Sequence, residues 1–253
     1  MRRVSVVSYL NSLPYLEGLK TFLSPEQWEI SVDPPGEIAR KLSQGLTDIG
    51  LVPVAAIPGI DGAHVITPYG IAADGPVNSV FLFSQNPLHE LENIYLDFES
   101  RTSVALVRLL ARDLWKTEWK FLPALDGFEA EIHGRTGGVI IGDRAIRALG
   151  KFGYRYDLSD CWRTLTGLPF VFARWVSRVD LSAEELTKFC EALEKGLEMK
   201  DLLLQNLLES REWDHDFVRK YLNESILYKI NASAEAGMSL FLERGGDFFS
   251  RLY

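Results

Sequence analysis

The chain has 253 residues, with 27 lysines and arginines against 35 aspartates and glutamates, so its formal net charge at pH 7 is −8. Hydrophobic residues make up 47% and charged residues 25% of the sequence, which is typical of a globular protein and excludes a disordered or collagen-like chain. The acidic balance also argues against general nucleic-acid binding, because that function needs a basic surface.

Cysteine use and apolar runs indicate where the protein works. Cys161 and Cys190 are too few for a disulfide framework and lack the spacing of a metal site. The strand-like start of the chain meets polar residues before the apolar core of a signal peptide can form. No run approaches the roughly 18 apolar residues that a membrane helix needs. We therefore expect a cytoplasmic protein, with neither a membrane nor a nucleic acid as partner.

The first half of the chain alternates β-rich segments with helical patterns, which is typical of parallel α/β architecture. Apolar, β-branched segments predict strands at residues 4–7, 28–32 and 48–54. One helix is expected to begin near Pro14, which the first turn of a helix accepts, and to end near Leu23. A second is expected at residues 37–44, ended by Gly45. This order predicts βαβ units in one sheet.

The pattern continues past a Gly/Pro-rich stretch at residues 58–75. Further strands are expected at residues 77–84, 95–97, 120–122, 138–142 and 168–176. One helix opens at residues 100–103, and another is expected at residues 144–149 with Asp143 as its N-cap. Ser182 and Glu185 form the spacing of a capping box, and a helix follows them. Two more helices are expected at about residues 215–222 and 232–249.

The layout predicts two α/β lobes with a ligand cleft between them. The chain is expected to leave the first lobe near residue 84 and to return near residue 170. Lobe 1 would then comprise residues 1–84 and 171–253, including the C-terminal helices, and lobe 2 would comprise residues 85–170.

Two strand-to-helix junctions share a composition that suits an anion. Residues 8–12 (SYLNS) and residues 100–103 (SRTS) each place hydroxyls or an amide at a helix N-terminus, where backbone N–H groups and the helix dipole favour negative charge. Either junction alone is also explained by helix capping. Their presence in opposite halves favours a cleft that binds a dicarboxylate. Arg101 is a bidentate partner for a carboxylate or, alternatively, a solvated side chain.

Other polar positions have a structural explanation beside the functional one. Gly142 and Asp143 follow a buried strand, where an aspartate is also a plain N-cap. Thr166, Gly167 and Pro169 lie in a segment that reads as a turn feeding a core strand. The four histidines, His64, His89, His133 and His215, are scattered without metal-site spacing, so we expect them to be structural or on the surface.

Six motifs in order resemble the chorismate dehydratases, the first enzymes of the futalosine route to menaquinone. They are residues 7–14 (VSYLNSLP), 42–54 (LSQGLTDIGLVPV), 75–84 (GPVNSVFLFS), 100–104 (SRTSV), 141–145 (IGDRA) and 166–175 (TGLPFVFARW). The resemblance covers residues 3 to about 176. It implies a two-lobed fold like that of type II periplasmic binding proteins, and removal of water from chorismate to give 3-[(1-carboxyvinyl)oxy]benzoate.

The resemblance also implies a binding site without cofactor or metal. Asn11 and Ser79 match the family positions that face the reacting ring. Thr102 and Ser103, with the helix behind them and Arg101 beside them, are expected to hold the ring carboxylate. The substrate-binding set that follows is Ser8, Asn11, Ser79, Arg101, Thr102, Ser103, Gly142, Asp143, Thr166, Gly167 and Pro169. The base is left open between the substrate's own enolpyruvyl carboxylate and Asp143, and the oligomeric state is left open between monomer and homodimer.

Two alternatives remain beside this interpretation. The 1,4-dihydroxy-6-naphthoate synthase of the same pathway shares the fold but is expected to carry Ile-His-Glu where this chain has residues 141–143 (IGD). A non-catalytic small-anion binding protein is the other alternative. Such receptors are normally exported, and the missing signal peptide argues against one.

Overall fold

The computed structural model of the chain describes residues 1–209 and 213–249. Its strands are β1 (Arg2–Val6), β2 (Trp28–Val32), β3 (Ile49–Pro53), β4 (His64–Ala73), β5 (Val80–Ser84), β6 (Asn93–Leu96), β7 (Lys120–Pro123), β8 (Thr136–Ile141), β9 (Tyr154–Asp157), β10 (Phe170–Ser177) and β11 (Leu227–Lys229). Its α-helices are α1 (Leu13–Phe22), α2 (Pro35–Ser43), α3 (Thr102–Leu110), α4 (Gly142–Arg147), α5 (Leu158–Thr166), α6 (Ala183–Glu198), α7 (Lys200–Glu209), α8 (His215–Lys220) and α9 (Ala232–Phe249). This order confirms the predicted α/β class.

The chain folds into two compact units. The first comprises residues 1–71 and 173–230, and the second comprises residues 72–172 together with the chain from Asn231 onward. This division differs from the predicted one, which kept residues 72–84 and the last helix, α9, in lobe 1. The reason lies in the contacts of two elements: β5 pairs with β8 and β9, and Phe241 of α9 packs against Trp162 and Phe170, all within the second unit.

The first unit contains a six-stranded sheet with the strand order β11-β4-β10-β3-β1-β2. β1 lies parallel to both β2 and β3, and β10 runs antiparallel to β3, with Trp175 opposite Leu51. Because β1 and β3 are parallel, their carboxyl ends meet at one edge of the sheet. The segment that follows β1 carries Ser8 and Asn11 at that edge.

Helices α1 and α6 pack closely in the first unit because a glycine lies at their contact. A Cβ atom on Gly18 would lie 2.2 Å from the carbonyl oxygen of Ala192. Ser182 caps α6: its hydroxyl accepts the Glu185 N–H at 3.2 Å, and its own N–H donates to the Glu185 carboxylate at 2.8 Å. The predicted capping box is confirmed.

The second unit contains a five-stranded sheet with the order β7-β6-β8-β5-β9. β6 runs parallel to β8, whereas β5 is antiparallel to β8, with Val80 opposite Ile141. The carboxyl ends of β6 and β8 therefore lie at the same sheet edge as the amino end of β5. This edge carries Ser79, Gly142 and the segment that leads into α3. One face of the sheet packs into an aromatic and aliphatic cluster that includes Phe81, Phe83 and Phe128.

Most elements of the first half appear where the pattern predicts them, but β4 lies in the stretch read as a Gly/Pro-rich connection. The pattern does not predict β4 because the strand contains Pro68 and Gly70, and both residue types are unusual inside a strand. Gly70 lies there because a Cβ atom would meet the carbonyl oxygen of Ala173 at 2.5 Å. The sequence pattern also did not predict β9, β11, α5 and α7. Over residues 1–209 and 213–249, no helix combines the length and the apolar character needed to cross a membrane.

Candidate functional site

The junction after β1 keeps its polar side chains out of helix capping. Residues Leu10–Ser12 form a 3-10 turn that leads into α1, and neither its N-cap Tyr9 nor the α1 N-cap Ser12 makes a side-chain capping bond. Instead, the buried Ser12 hydroxyl donates to Asn11 Oδ1 at 3.0 Å. The bond holds the amide of Asn11 through its oxygen, and the NH2 group is the part of Asn11 that can donate to a ligand. Ser8 is exposed, and Asn11 is half-buried.

The junction before α3 is capped by a residue outside the predicted set. Ser100 accepts the Ser103 N–H at 3.0 Å through its hydroxyl. Thr102 and Ser103 are buried at the start of the helix, and Arg101 is half-buried. The Thr102 hydroxyl donates to the carbonyl oxygen of Phe172 at 3.3 Å. Capping therefore accounts for Ser100, and Thr102 is tied to the first residues of β10.

Ser79 and Gly142 are joined at the shared sheet edge. The Gly142 N–H donates to the carbonyl oxygen of Ser79 at 2.8 Å, which continues the β5–β8 ladder by one bond. Ser79 is 1% exposed, so its position is set by the backbone around it. Gly142 has φ of 60°, a conformation that favours glycine.

The predicted capping role of Asp143 is wrong. Helix α4 begins at Gly142, its N-cap is Ile141, and that N-cap makes no side-chain bond. Asp143 instead lies inside the first turn, half-buried, where a carboxylate interacts favourably with the helix dipole. Helix capping therefore does not explain why an aspartate lies at position 143.

A buried ion pair connects two of these segments. Asp97 follows β6, accepts the N–H of Ile141 at 3.2 Å and receives the Arg144 guanidinium at 2.7 Å. The Asp97 side chain is fully buried. Burial raises the pKa of the Asp97 carboxyl, and the positive charge of Arg144 opposes that rise. The pair links the segment before α3 to the β8–α4 turn that carries Gly142 and Asp143.

A second carboxylate, the half-buried Asp157, holds the turn before Ser79. Its Oδ2 accepts the N–H of Asn78 at 2.7 Å, and its Oδ1 accepts the N–H groups of Ser159 and Asp160 at the start of α5. Burial raises the pKa of Asp157 to about 6, although the backbone N–H groups act in the opposite direction. Sequence reasoning missed Asp157 because α5 was not predicted. The signal was present, since residues 157–160 (DLSD) begin with a good N-cap residue.

Thr166, Gly167 and Pro169 are accounted for by the end of α5. The Thr166 hydroxyl donates to the carbonyl oxygen of Trp162 at 2.9 Å and accepts the N–H of Leu168 at 3.1 Å. Gly167 closes the helix with φ of 73°, and its N–H donates to Arg163. The Pro169 carbonyl accepts the indole N–H of Trp162 at 3.2 Å. These bonds match the turn that the sequence offered as the alternative to a binding role.

The structure thus separates the candidates by unit. Ser8 and Asn11 belong to the first unit, and the remaining predicted site residues belong to the second. Within the second unit, hydrogen bonds connect the segments of Ser79 and Gly142 to one another, and Asp97 and Asp157 brace the turns next to them.

The histidines stand apart from these groups. All four are exposed, as expected. Among the residues that the structure describes, no group of three or more His, Cys, Asp or Glu side chains is arranged to hold a metal ion.

Comparison with known proteins shows the family to which the sequence is similar. The model of a family described as menaquinone biosynthesis matches residues 2–247. A chorismate dehydratase from Campylobacter jejuni is 29% identical over 243 residues, covering 94% of each chain. A chorismate dehydratase from Thermus thermophilus is 32% identical over 190 residues, covering 67% of each chain.

A solved structure agrees with the predicted fold. A Candida albicans protein described as exhibiting the generic periplasmic binding protein structural fold has a TM-score of 0.65 to this chain. The match covers 100% of this chain and 94% of that one, at 11% identity. Identity this low shows the fold alone, and it confirms the periplasmic-binding-protein-like fold.

Proposed function

Because this chain belongs to the menaquinone biosynthesis family, we propose that it acts as the chorismate dehydratase of that pathway. The observation that carries the proposal is its similarity to two chorismate dehydratases, one of which matches over 94% of both chains. The reaction places the protein among the carbon–oxygen lyases that release water.

The β8–α4 turn favours this activity over the naphthoate synthase of the same pathway. That synthase is expected to carry a histidine at the position of Gly142. Here the position has φ of 60° and its N–H is bonded to Ser79, and a left-handed backbone strains any larger side chain. The turn is therefore built for glycine and not for a catalytic histidine.

The reaction removes one proton and one hydroxide from neighbouring ring carbons of chorismate. The proton leaves the carbon that bears the enolpyruvyl ether, and its electron pair spreads through the adjacent double bond onto the ring carboxylate as an enediolate. The electrons then return to form the aromatic ring while hydroxide leaves the next carbon, and the proton and hydroxide together make water. Hydrogen-bond donors aimed at the ring carboxylate stabilise the charge that develops there.

We assign those donors to the start of α3. Ser103 and the N-terminal turn of the helix supply hydroxyl and dipole, and Arg101 at the N-cap position supplies a positive charge beside them. Thr102 donates to Phe172, so its hydroxyl must turn from that carbonyl if it is to reach a carboxylate directly. Its second contribution is to fix the start of the helix.

Asn11 and Ser79 are assigned to the reacting ring. An amide has no useful basicity, so Asn11 orients the substrate or polarises an oxygen through the NH2 group that its bond with Ser12 leaves available. Ser79 offers a hydroxyl at a backbone position fixed by Gly142. Ser8, in the same segment as Asn11, and the backbone of Gly142, which is bonded to Ser79, are assigned to substrate binding as well.

The base is assigned to the substrate itself. The enolpyruvyl carboxylate is attached to the carbon that loses its proton, so the protein needs only to hold the two in the correct geometry. Asp143 is the alternative base. It stays a candidate because it lies beside Gly142 and its predicted capping role is absent.

The test is to incubate the purified protein with chorismate and to follow the product by ultraviolet absorbance and mass spectrometry. The expected result is loss of chorismate with equal gain of 3-[(1-carboxyvinyl)oxy]benzoate, and a much slower gain with the Asn11→Ala variant. Folded protein that binds chorismate without converting it would support a non-catalytic binding protein instead. Folded protein that neither binds nor converts it would reject the proposal.

A further inference from the structure

The two carboxylate oxygens of Asp157 have separate partners. Oδ1 accepts the N–H groups of Ser159 and Asp160, at 3.0 and 3.2 Å, which is the ordinary work of a helix N-cap. Oδ2 accepts the N–H of Asn78 at 2.7 Å, and Asn78 lies 79 residues earlier in the chain. Capping of α5 explains the first oxygen and leaves the second unexplained.

The partner of the second oxygen is a strained residue next to a proposed substrate contact. Asn78 has φ of 60°, in the left-handed region that costs energy for a residue with a side chain. Its neighbour Ser79 is held on the other side by the bond from Gly142 N–H to its carbonyl oxygen. Two hydrogen bonds thus fix the backbone around Ser79: the Asn78 N–H donates to Asp157, and the Gly142 N–H donates to the Ser79 carbonyl oxygen.

We propose that Asp157 is a positioning residue for the dehydration, which holds Asn78 in its left-handed conformation and thereby aims the Ser79 hydroxyl at the reacting ring. The inference rests on the proposed function, because it assigns Ser79 to the substrate. Asp157 acts through the backbone and does not itself contact the substrate. A carboxylate suits this work because one oxygen can cap α5 while the other accepts from the turn.

The chain offers a variant that separates the two tasks. In Asp157→Asn, the amide oxygen can still cap α5, since asparagine caps as well as aspartate, but the NH2 group cannot accept from Asn78. Asp214→Asn is the matched control, because Asp214 caps α8 in the first unit with one oxygen, which accepts the Phe217 N–H at 2.8 Å. Both variants exchange the same residue types at a helix N-cap.

The experiment combines kinetics with amide exchange. We expect Asp157→Asn to lower kcat by roughly tenfold to a hundredfold, as expected for a displaced reacting group, with a smaller change in KM. Asp214→Asn should keep both constants. In the background of Ser79→Ala, adding Asp157→Asn should lower kcat little further, because the effects of residues that act through one group are not additive. Hydrogen exchange of the Asn78 and Ser79 amides should quicken in Asp157→Asn alone.

The outcomes separate the two proposals. If the wild-type protein does not convert chorismate, the proposed function fails, and unchanged exchange at Asn78 in Asp157→Asn would then overturn the positioning role as well. If the wild type is active, a folded Asp157→Asn variant with wild-type kcat and KM overturns the positioning role alone. Additive losses with Ser79→Ala, or an equal loss in Asp214→Asn, also overturn it, because they indicate a general effect on the fold.

Discussion

Asp97 and Arg144 form an ion pair in which the Asp97 side chain is completely buried. The Arg144 guanidinium donates to both carboxylate oxygens of Asp97 at 2.7 Å, and the Asp97 side chain is 0% exposed against 27% for Arg144. Arg144 also reaches Glu129 at 2.8 Å and lies over the Phe98 ring. The pair fastens the end of β6 to the start of α4, next to the proposed substrate-binding segments.

Removing Arg144 should therefore destabilise the protein. Arg144→Ala leaves the Asp97 charge buried without its cation, which costs about 3–5 kcal/mol when one partner of a buried pair is lost. Arg163→Ala is the control: it breaks an exposed pair with Asp74 in the same unit, and exposed pairs contribute about 0–1 kcal/mol. The free energy of unfolding, from urea denaturation, measures both. Equal losses would contradict the assignment of a structural role to the buried pair.

Local signals in the sequence predicted the elements well where the interacting residues are close in the chain. Ser182 and Glu185 are three residues apart, and their capping box is found as expected. Asp157 and Asn78 are 79 residues apart, and Asp97 and Arg144 are 47 apart. Nothing in residue spacing connects such pairs, because they meet only after the sheet of the second unit has formed.

Positions within the candidate site show the same limit. The sequence placed polar residues at Asn11, Ser79 and Ser103 through motifs that are continuous in the chain. Its interpretation of Asp143 as a cap failed because α4 begins two residues earlier than expected, at the left-handed Gly142. Helix boundaries depend on single backbone conformations, and composition alone does not specify them.

A pair of glycine substitutions tests the packing of α1 on α6. Gly18→Ala would place a methyl group 2.2 Å from the Ala192 carbonyl oxygen, so the helices must move apart. Overpacking of this kind costs about 1–3 kcal/mol or more. Gly36→Ala, in α2, meets nothing within 4 Å and should stabilise the protein by about 0.4–1 kcal/mol. Thermal and urea denaturation of both variants give the sign of the change in the free energy of unfolding. A Gly18→Ala protein as stable as the wild type would refute the close contact.

The Asn11 side chain should matter more for turnover than for affinity. If it polarises an oxygen in the transition state, Asn11→Ala should lower kcat by about 10²–10³-fold while substrate affinity changes little. Asn223→Ala serves as control, because that side chain is exposed and its NH2 group donates to the carbonyl of Arg219 one turn away. Stopped-flow binding and steady-state rates measure the two quantities. Comparable losses in both would remove Asn11 from the chemistry.

The choice of base is tested at Asp143. If the substrate's enolpyruvyl carboxylate removes the proton, Asp143→Asn should keep turnover within about tenfold of the wild type, since loss of a general base costs about 10²–10⁴-fold. The neighbouring Arg144 stays in place, so the β8–α4 turn is preserved. A loss in the larger range, with an unchanged free energy of unfolding, would transfer the base to Asp143. Steady-state rates and urea denaturation on the same preparation decide between the two.

The last prediction concerns pH and follows from the raised pKa of Asp157, about 6 in the folded protein against an ordinary value of 3.8. Between these values the folded state binds the proton and the unfolded chain does not. The contribution of Asp157 to the free energy of unfolding is therefore largest below about pH 4 and is lost as the pH rises through about 6. At about 1.4 kcal/mol per pKa unit, the loss is about 3 kcal/mol. Groups such as Glu185, whose pKa is lowered to about 2 by its bond from Arg2, titrate identically in wild type and variant and cancel in the difference.

Asp157→Asn cannot titrate, so its free energy of unfolding relative to wild type should rise by about that amount between pH 4 and pH 7. Urea denaturation of the wild type and the Asp157→Asn variant at pH 4, 5, 6 and 7 measures this difference. A difference that stays constant with pH would mean that the carboxyl group of Asp157 has its ordinary pKa. The half-buried Asp157 carboxylate, which accepts the Asn78 N–H at 2.7 Å, would then be as well stabilised when charged in the folded protein as in water.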